Sequence, residues 1–364
     1  MTGRDRFLAA LHNEKPDRLP CQVHNFMPYF LIKKLLFTPR RAYEYFDMDP
    51  VLYINPRYLF NEEDKKKWIK SVKFKFVKGG AVHYEIKYAT PEGELKMLCS
   101  TDKYTSWVSE PLIKSEEDFE LYRKYYPVPV AADWKRVIRA RDYVGDRGIV
   151  RMVSRGFGQS GAFQSLAYMT DTVNLIYKAY DSPEWVHYAL NEINKKNIKT
   201  VINSGRIQAD LVETGGGAGS SSVIGRDMHR EFCLPYDIEL HKAIKEQGAL
   251  ISYHLCGAVM PLLEIVSLNG ADALETMTPE GMGGDCDLRE ATSRIGDKMA
   301  FIGGLDQGKC FERGDETIVI EEVEKLFRSK PWGGYICSPS DHFFIAKKKN
   351  ILAFSKFCKE CLYQ

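Results

Sequence analysis

The tetrapeptide His254-Leu255-Cys256-Gly257 sets an imidazole and a thiol two residues apart. It ends the apolar run Gly248-Ala249-Leu250-Ile251-Ser252-Tyr253 and opens a helical stretch. The pair therefore belongs at the C-terminal tip of a strand, where alternation turns both side chains to one face. Imidazole nitrogen and thiolate sulfur are both zinc ligands, so the pair makes half of a Zn2+ site. A catalytic zinc takes three protein ligands and keeps one position open. Asp341, in Ser338-Pro339-Ser340-Asp341-His342, is the first candidate for the third ligand. Cys337, Glu213 and His342 are the other candidates, although Cys337 lies within an expected strand and reads better as a core residue.

Other expected strands also end in groups with chemistry: His24, Arg155, Glu213, Glu275, Asp306, and Asp341 with His342. Any one of them reads as a satisfied loop residue; the set argues for a metal or acid–base site. Glu213, Asp341 and His342 are the candidates for catalytic work, with Glu213 as a nearby acid. His24, Asn25, Phe157, Tyr253 and Glu275 are the candidates for substrate contact. Aromatic residues such as Phe26, Tyr29, Phe163 and Phe344 suit a flat organic substrate, though at least half of them serve a core. The loop Gly215-Gly216-Gly217-Ala218-Gly219 suits either an anion held by backbone amides or a close approach to the site. No Gly-Lys-Ser/Thr follows it, so no P-loop is implied.

The elements that position these groups alternate from residue 148 onward. Strands are expected at 149–154, 210–214, 249–254, 271–275, 299–303 and 334–337. Helices fall between them, including one from Asp181-Ser182-Pro183-Glu184 to about residue 203 and a terminal one over 347–361. Two further strands, 19–24 and 50–55, complete a (β/α)8 TIM barrel, an α/β fold whose active site lies at the C-terminal ends of its strands. A doubly wound sheet is the lesser reading, because no glycine-rich dinucleotide fingerprint follows the first strand. Residues 72–112 break the alternation with period-two runs and tight turns, a small antiparallel β insertion within a single domain spanning 1–364.

Composition sets limits. The 364 residues carry a formal net charge of +2, too little for a field that holds nucleic acid, and no nucleic-acid motif is present. No apolar run is long enough to cross a bilayer. Nine scattered cysteines and no signal-type segment fit a reduced, cytoplasmic protein. Cys358 and Cys361 form a CxxC without βαβ context and read as helix packing. The oligomeric state stays open, a homodimer included.

At these residues the chain resembles the uroporphyrinogen decarboxylase superfamily, and within it the corrinoid-dependent methyltransferase branch. The resemblance runs over nearly the full length. It is carried by Arg4-Asp5-Arg6-Phe7-Leu8-Ala9-Ala10-Leu11, Pro16-Asp17-Arg18-Leu19-Pro20, Thr90-Pro91-Glu92-Gly93, Gly283-Gly284-Asp285-Cys286-Asp287-Leu288 and Gly303-Gly304-Leu305-Asp306. The decarboxylases carry an arginine-rich signature after the first strand; here His24-Asn25-Phe26-Met27-Pro28-Tyr29-Phe30 stands there, which argues against a polycarboxylate porphyrinogen. The resemblance implies a zinc site matched by His254 and Cys256, with Asp341 standing where the methyltransferases have a distant cysteine.

A carboxylate in that place leaves a more Lewis-acidic metal. That tips the expectation toward methyl transfer from a small methoxylated donor to the cobalt of a corrinoid (cobalamin). Asp227-Met228-His229 begins like a corrinoid signature, but Phe232 stands where it requires glycine. The corrinoid is therefore expected on a separate partner protein that docks at the barrel mouth. The alternatives are transfer from a methylcorrinoid to a thiol or pterin, and a non-catalytic ligand-binding barrel.

Overall fold

Short apolar runs, each too buried to alternate with solvent, build the central sheet of the computed structural model, which describes residues 1–158 and 160–364. The strands in chain order are β1 (Val51–Tyr53), β2 (Arg57–Leu59), β3 (Ile69–Lys78), β4 (Ala81–Thr90), β5 (Gly93–Thr101), β6 (Ser106–Glu110), β7 (Ala131–Asp133), β8 (Ile149–Val153), β9 (Leu211–Gly215), β10 (Leu250–His254), β11 (Ala273–Thr276), β12 (Ala300–Leu305) and β13 (Tyr335–Pro339). Seven of them form one parallel sheet in the order β1-β8-β9-β10-β11-β12-β13. Helices cover its outside, giving the expected (β/α)8-type barrel.

The eighth position is the exception. Residues 19–24 form no continuous strand; Cys21 bridges Cys337 as a single parallel pair, with Gln22 N–H donating to the Cys337 carbonyl at 3.0 Å and Cys337 N–H to that of Pro20 at 2.9 Å. Among the described residues no ladder joins this segment to β1. Side chains fill the seam: the His24 and Tyr53 rings meet edge to face at 5.8 Å, and the Tyr43 hydroxyl donates to the Val23 carbonyl at 3.2 Å. Two prolines near the segment, Pro16 and Pro20, remove backbone donors and help explain why it does not extend its pairing.

The helices follow local rules. Asp287 caps the helix Leu288–Ile295 by accepting from Arg289 and Glu290 N–H at 2.9 and 3.0 Å. Pro183 opens the long helix Pro183–Asn203 in its first turn, but the Ser182 side chain makes no capping bond there. The expected helix near Pro235 is split into Arg226–Phe232 and Leu234–Glu246.

Between β1 and β8 the chain builds the antiparallel sheet β3-β4-β5-β6, beginning at Ile69 and ending at Glu110. A smaller antiparallel pair, β2 with β7, is present as well. The barrel residues share one hydrophobic cluster. A second cluster unites the inner face of the four-stranded sheet (Ile86, Tyr88, Leu95, Met97) with Phe157 and the helix around Leu190. That joint core fixes the sheet beside the C-terminal ends of the strands. Among the described residues no helix is long and apolar enough to cross a membrane.

Candidate functional site

Alternation along the strands sends Arg151 (β8), Glu213 (β9), His254 (β10) and Glu275 (β11) into the barrel. Register places Glu275 directly beside His254 on the neighbouring strand. His24, from the seam segment, completes the group. Ligand atoms of His24, Glu213, His254 and Glu275 all lie within 4.8 Å of one another. The Cys256 side chain follows one residue beyond Leu255 in the turn after β10, and its proximity raises the pKa of the His254 imidazole. His342 packs its ring 5.0 Å from that of His24, which in turn lies 5.0 Å from that of His254.

Arg151 is the floor of the site. Its guanidinium grips Glu275 through both oxygens, one at 2.7 Å, and donates to Glu213 Oε2 at 2.7 Å. The Tyr53 ring lies 4.8 Å from it. Exposure rises from 0% at Arg151 and 2% at Glu275, through 13% at His254 and 14% at Glu213, to 35% at His342 and 44% at Asp341. The site therefore opens toward the loop after β13.

Electrostatics follow from that burial. Burial alone would push Glu275 and Glu213 up, but the Arg151 charge dominates and holds Glu275 well below the usual carboxylate range and Glu213 below it. Burial alone would push His254 down; contact with Cys256 and Glu275 and the charge of Glu213 hold it well above an ordinary imidazole. His342 is shifted down by burial and by the neighbouring His24.

The glycine-rich loop 215–219 lies on the end of β10 rather than presenting its amides outward. Gly216 N–H donates to the His254 carbonyl at 2.8 Å, and Ala218 N–H to Gln164 Oε1 at 2.8 Å. A Cβ at Gly217 would stand 2.7 Å from Cys256 Sγ. The close-approach reading of this loop is the one the geometry matches, and the anion cradle is not.

Several sequence expectations are redirected. Neither Asp341 nor Cys256 belongs to the one group of three or more potential ligands among the described residues, which is His24, Glu213, His254 and Glu275. Asp341 stands at the rim, where its carboxylate accepts from its neighbour's backbone, His342 N–H, at 2.7 Å. Tyr253 faces away from the barrel interior, because alternation opposes it to His254; it is buried and donates to Asp237 Oδ2 at 2.7 Å. Phe157 is buried among Tyr88, Tyr122 and Tyr126 and belongs to the second core. Asn25 is half-buried and makes no side-chain hydrogen bond among the described residues. Cys337 is buried in the core, as its place within the strand suggested. Glu213, held ionised by Arg151, is a poor proton donor rather than the expected acid. Arg151 was missed, although a charge inside the apolar run Ile149-Val150-Arg151-Met152-Val153 must find a partner.

A bound zinc ion suits part of this set. His254 Nδ1 is buried without a hydrogen bond; Glu275 Oε2 lies 3.5 Å away but off hydrogen-bond geometry. His342 Nδ1 and Gln22 Oε1 are orphaned likewise. Both Glu275 oxygens already accept from Arg151, so a cation there would face a fixed positive charge. His254 is the member of the group with an unpartnered buried ring nitrogen, so it fits a metal best.

Comparisons with known proteins agree with the architecture. No functionally curated protein matches the chain in sequence. A methyltransferase from Methanosarcina mazei superposes with a TM-score of 0.68 at 12% identity, covering 99% of this chain and 99% of that one. A B12-independent methionine synthase from Shewanella sp. W3-18-1 aligns with a TM-score of 0.47 at 11% identity over 95% of this chain and 94% of that one. Such identities speak to fold and not to activity. The family model for uroporphyrinogen decarboxylase (URO-D) matches residues 99–361, well over half of the sequence. On that match the chain belongs to the uroporphyrinogen decarboxylase family.

Proposed function

We propose that this chain is a methyltransferase that holds zinc on His254 and Cys256. In this reading it moves a methyl group from a small methoxylated donor, such as an aromatic O-methyl compound, to the cobalt of a corrinoid carried by a separate protein. The observation that carries the proposal is that His254, at the end of β10, has a buried Nδ1 without a hydrogen bond and lies within 4.8 Å of the ligand atoms of His24, Glu213 and Glu275, with the Cys256 thiol two residues on. When bound, zinc supplies a Lewis acid that polarises the donor's ether oxygen.

The chain's own residues do the rest. Arg151 keeps Glu213 and Glu275 ionised and in place, so both act as fixed negative charge beside the histidines. Glu275 orients His24, whose Nδ1 lies 3.3 Å from its Oε1. His342 and Asp341 stand at the rim, where a donor enters. A neighbourhood of nitrogen and carboxylate groups with a single thiol favours an ether donor over a thiol acceptor, which sulfur-rich zinc sites suit better.

The test is metal analysis of the purified chain, beside methyl transfer from a panel of methoxylated aromatics to cob(I)alamin. About one zinc per chain is expected, lost together with transfer in His254→Ala and Cys256→Ala. Transfer undiminished in the zinc-free variants ends the zinc mechanism. Transfer seen only from methylcobalamin to thiols or pterins replaces the proposed direction with its reverse.

A further inference from the structure

An exposed apolar strand, β3, lies outside the barrel. All ten of its residues are exposed. Val72, Phe74 and Val77 are 59%, 62% and 61% exposed, and Ile69 and Phe76 more than half. β3 pairs only with β4 and forms one edge of the sheet β3-β4-β5-β6. Register puts Val72 and Phe74 opposite Ile86 and Tyr84. Ile86 belongs to the second core, so β3 extends that apolar face past the helices that cover the rest of it. A bulge at Lys75 changes the register, so that Phe76 stacks on His83 at 4.5 Å on the other face.

A long, exposed, apolar edge is what soluble proteins ordinarily avoid, because its free N–H and C=O groups invite another strand. The charge on this edge says which strand. β3 carries Lys70, Lys73, Lys75 and Lys78 and no acidic residue. Lys75 is paired with Glu85 at 3.0 Å, while the other three have no ion pair among the described residues. A second copy of this chain, added edge to edge about a two-fold axis, would bring four lysines against four. An extended segment alternating acidic and apolar residues would meet Lys73 and Lys78 with carboxylates on one face and Val72, Phe74 and Val77 with apolar side chains on the other, where Lys70 stands at the end.

We infer that β3 is a docking edge for an extended acidic segment of another protein, which adds to the insertion sheet as a further strand. The inference does not depend on the zinc or methyl-transfer reading. Its position is consistent with a role beside the mouth: Tyr104, in the β5–β6 turn of the same sheet, packs 4.9 Å from Phe344 and from Tyr29 at the rim.

The test uses the full chain and a fluorescent ten-residue peptide of alternating Glu and Val. Saturable binding is expected at low salt, weakening several-fold as salt rises into the physiological range. Phe74→Ser should weaken it about tenfold or more, and a Lys70→Glu/Lys73→Glu/Lys78→Glu variant should abolish it. These residues are solvent-facing, so an unchanged melting temperature in both variants will show that the fold is intact. A peptide of the same sequence, N-methylated at every second residue, should fail to bind, because it cannot complete the strand hydrogen bonds. Absence of saturable binding at low salt overturns the inference. Equal binding of the N-methylated peptide overturns strand addition. Concentration-dependent dimers that Phe74→Ser dissolves would assign the edge to a second copy instead.

Discussion

Arg151 decides the character of the residues around it. It is wholly buried, Glu275 is buried with it and Glu213 is only 14% exposed, so water compensates the three charges little. Removing one partner from such a set leaves an isolated interior charge. Arg151→Met is therefore expected to destabilise the fold by about 3–5 kcal/mol in urea denaturation, and adding Glu275→Gln to it should recover part of the loss. An additive double variant would show that the pair is not coupled. The sequence displays Arg151 as one charge in an apolar strand, which says that a partner exists but not which one. Its partners lie 62 and 124 residues away, and only the closure of the barrel brings them in. The His254–Cys256 pair was readable because both its members sit on one short turn.

At the scale of elements, the strand ends were legible and the faces were less so. Period two establishes that Tyr253 and His254 oppose each other, but the interior face is chosen by the helices that pack outside. Here the helix Leu234–Glu246 claims Tyr253 through Asp237. Asp341 could not be placed from sequence for a different reason: it follows β13 in a loop, where strand alternation no longer fixes direction. The glycine-rich loop after β9 is where sequence and site meet most closely. Gly217→Ala keeps a permitted backbone but sets a methyl group 2.7 Å from Cys256 Sγ. On the proposed zinc site, an affinity about tenfold weaker is expected, a loss of about 1.4 kcal/mol, read by competition with a chromogenic chelator. Gly225→Ala, whose Cβ would meet nothing within 4 Å, serves as the control and should leave affinity unchanged.

Across the whole molecule, stability should carry the imprint of Asp237, buried outside the barrel against Tyr253. Burial pushes its carboxyl up to about 7, although the Tyr253 hydroxyl opposes that. Between pH about 4, where an unfolded aspartate ionises, and about 7, the folded chain keeps a proton that the unfolded chain has lost. Its contribution is present in full below that window, falls through it, and is gone above it. Asp237→Asn keeps an acceptor for Tyr253 and removes the titration. The variant should gain on the natural chain by up to about 4 kcal/mol as pH rises from 4 to 8, measured by denaturation at each pH. A constant difference across that range would place the carboxyl in water.

The barrel itself was legible because its strands are brief and apolar, while the missing eighth ladder was not, since Leu19–His24 has the composition of its neighbours. That gap has a mechanical meaning. A cylinder stitched by backbone bonds on every side resists widening, whereas one laced along a single line by rings and hydroxyls yields there first. The line runs past His24, opposite β10, so pressure applied inside the mouth is expected to displace that wall before the His254 side.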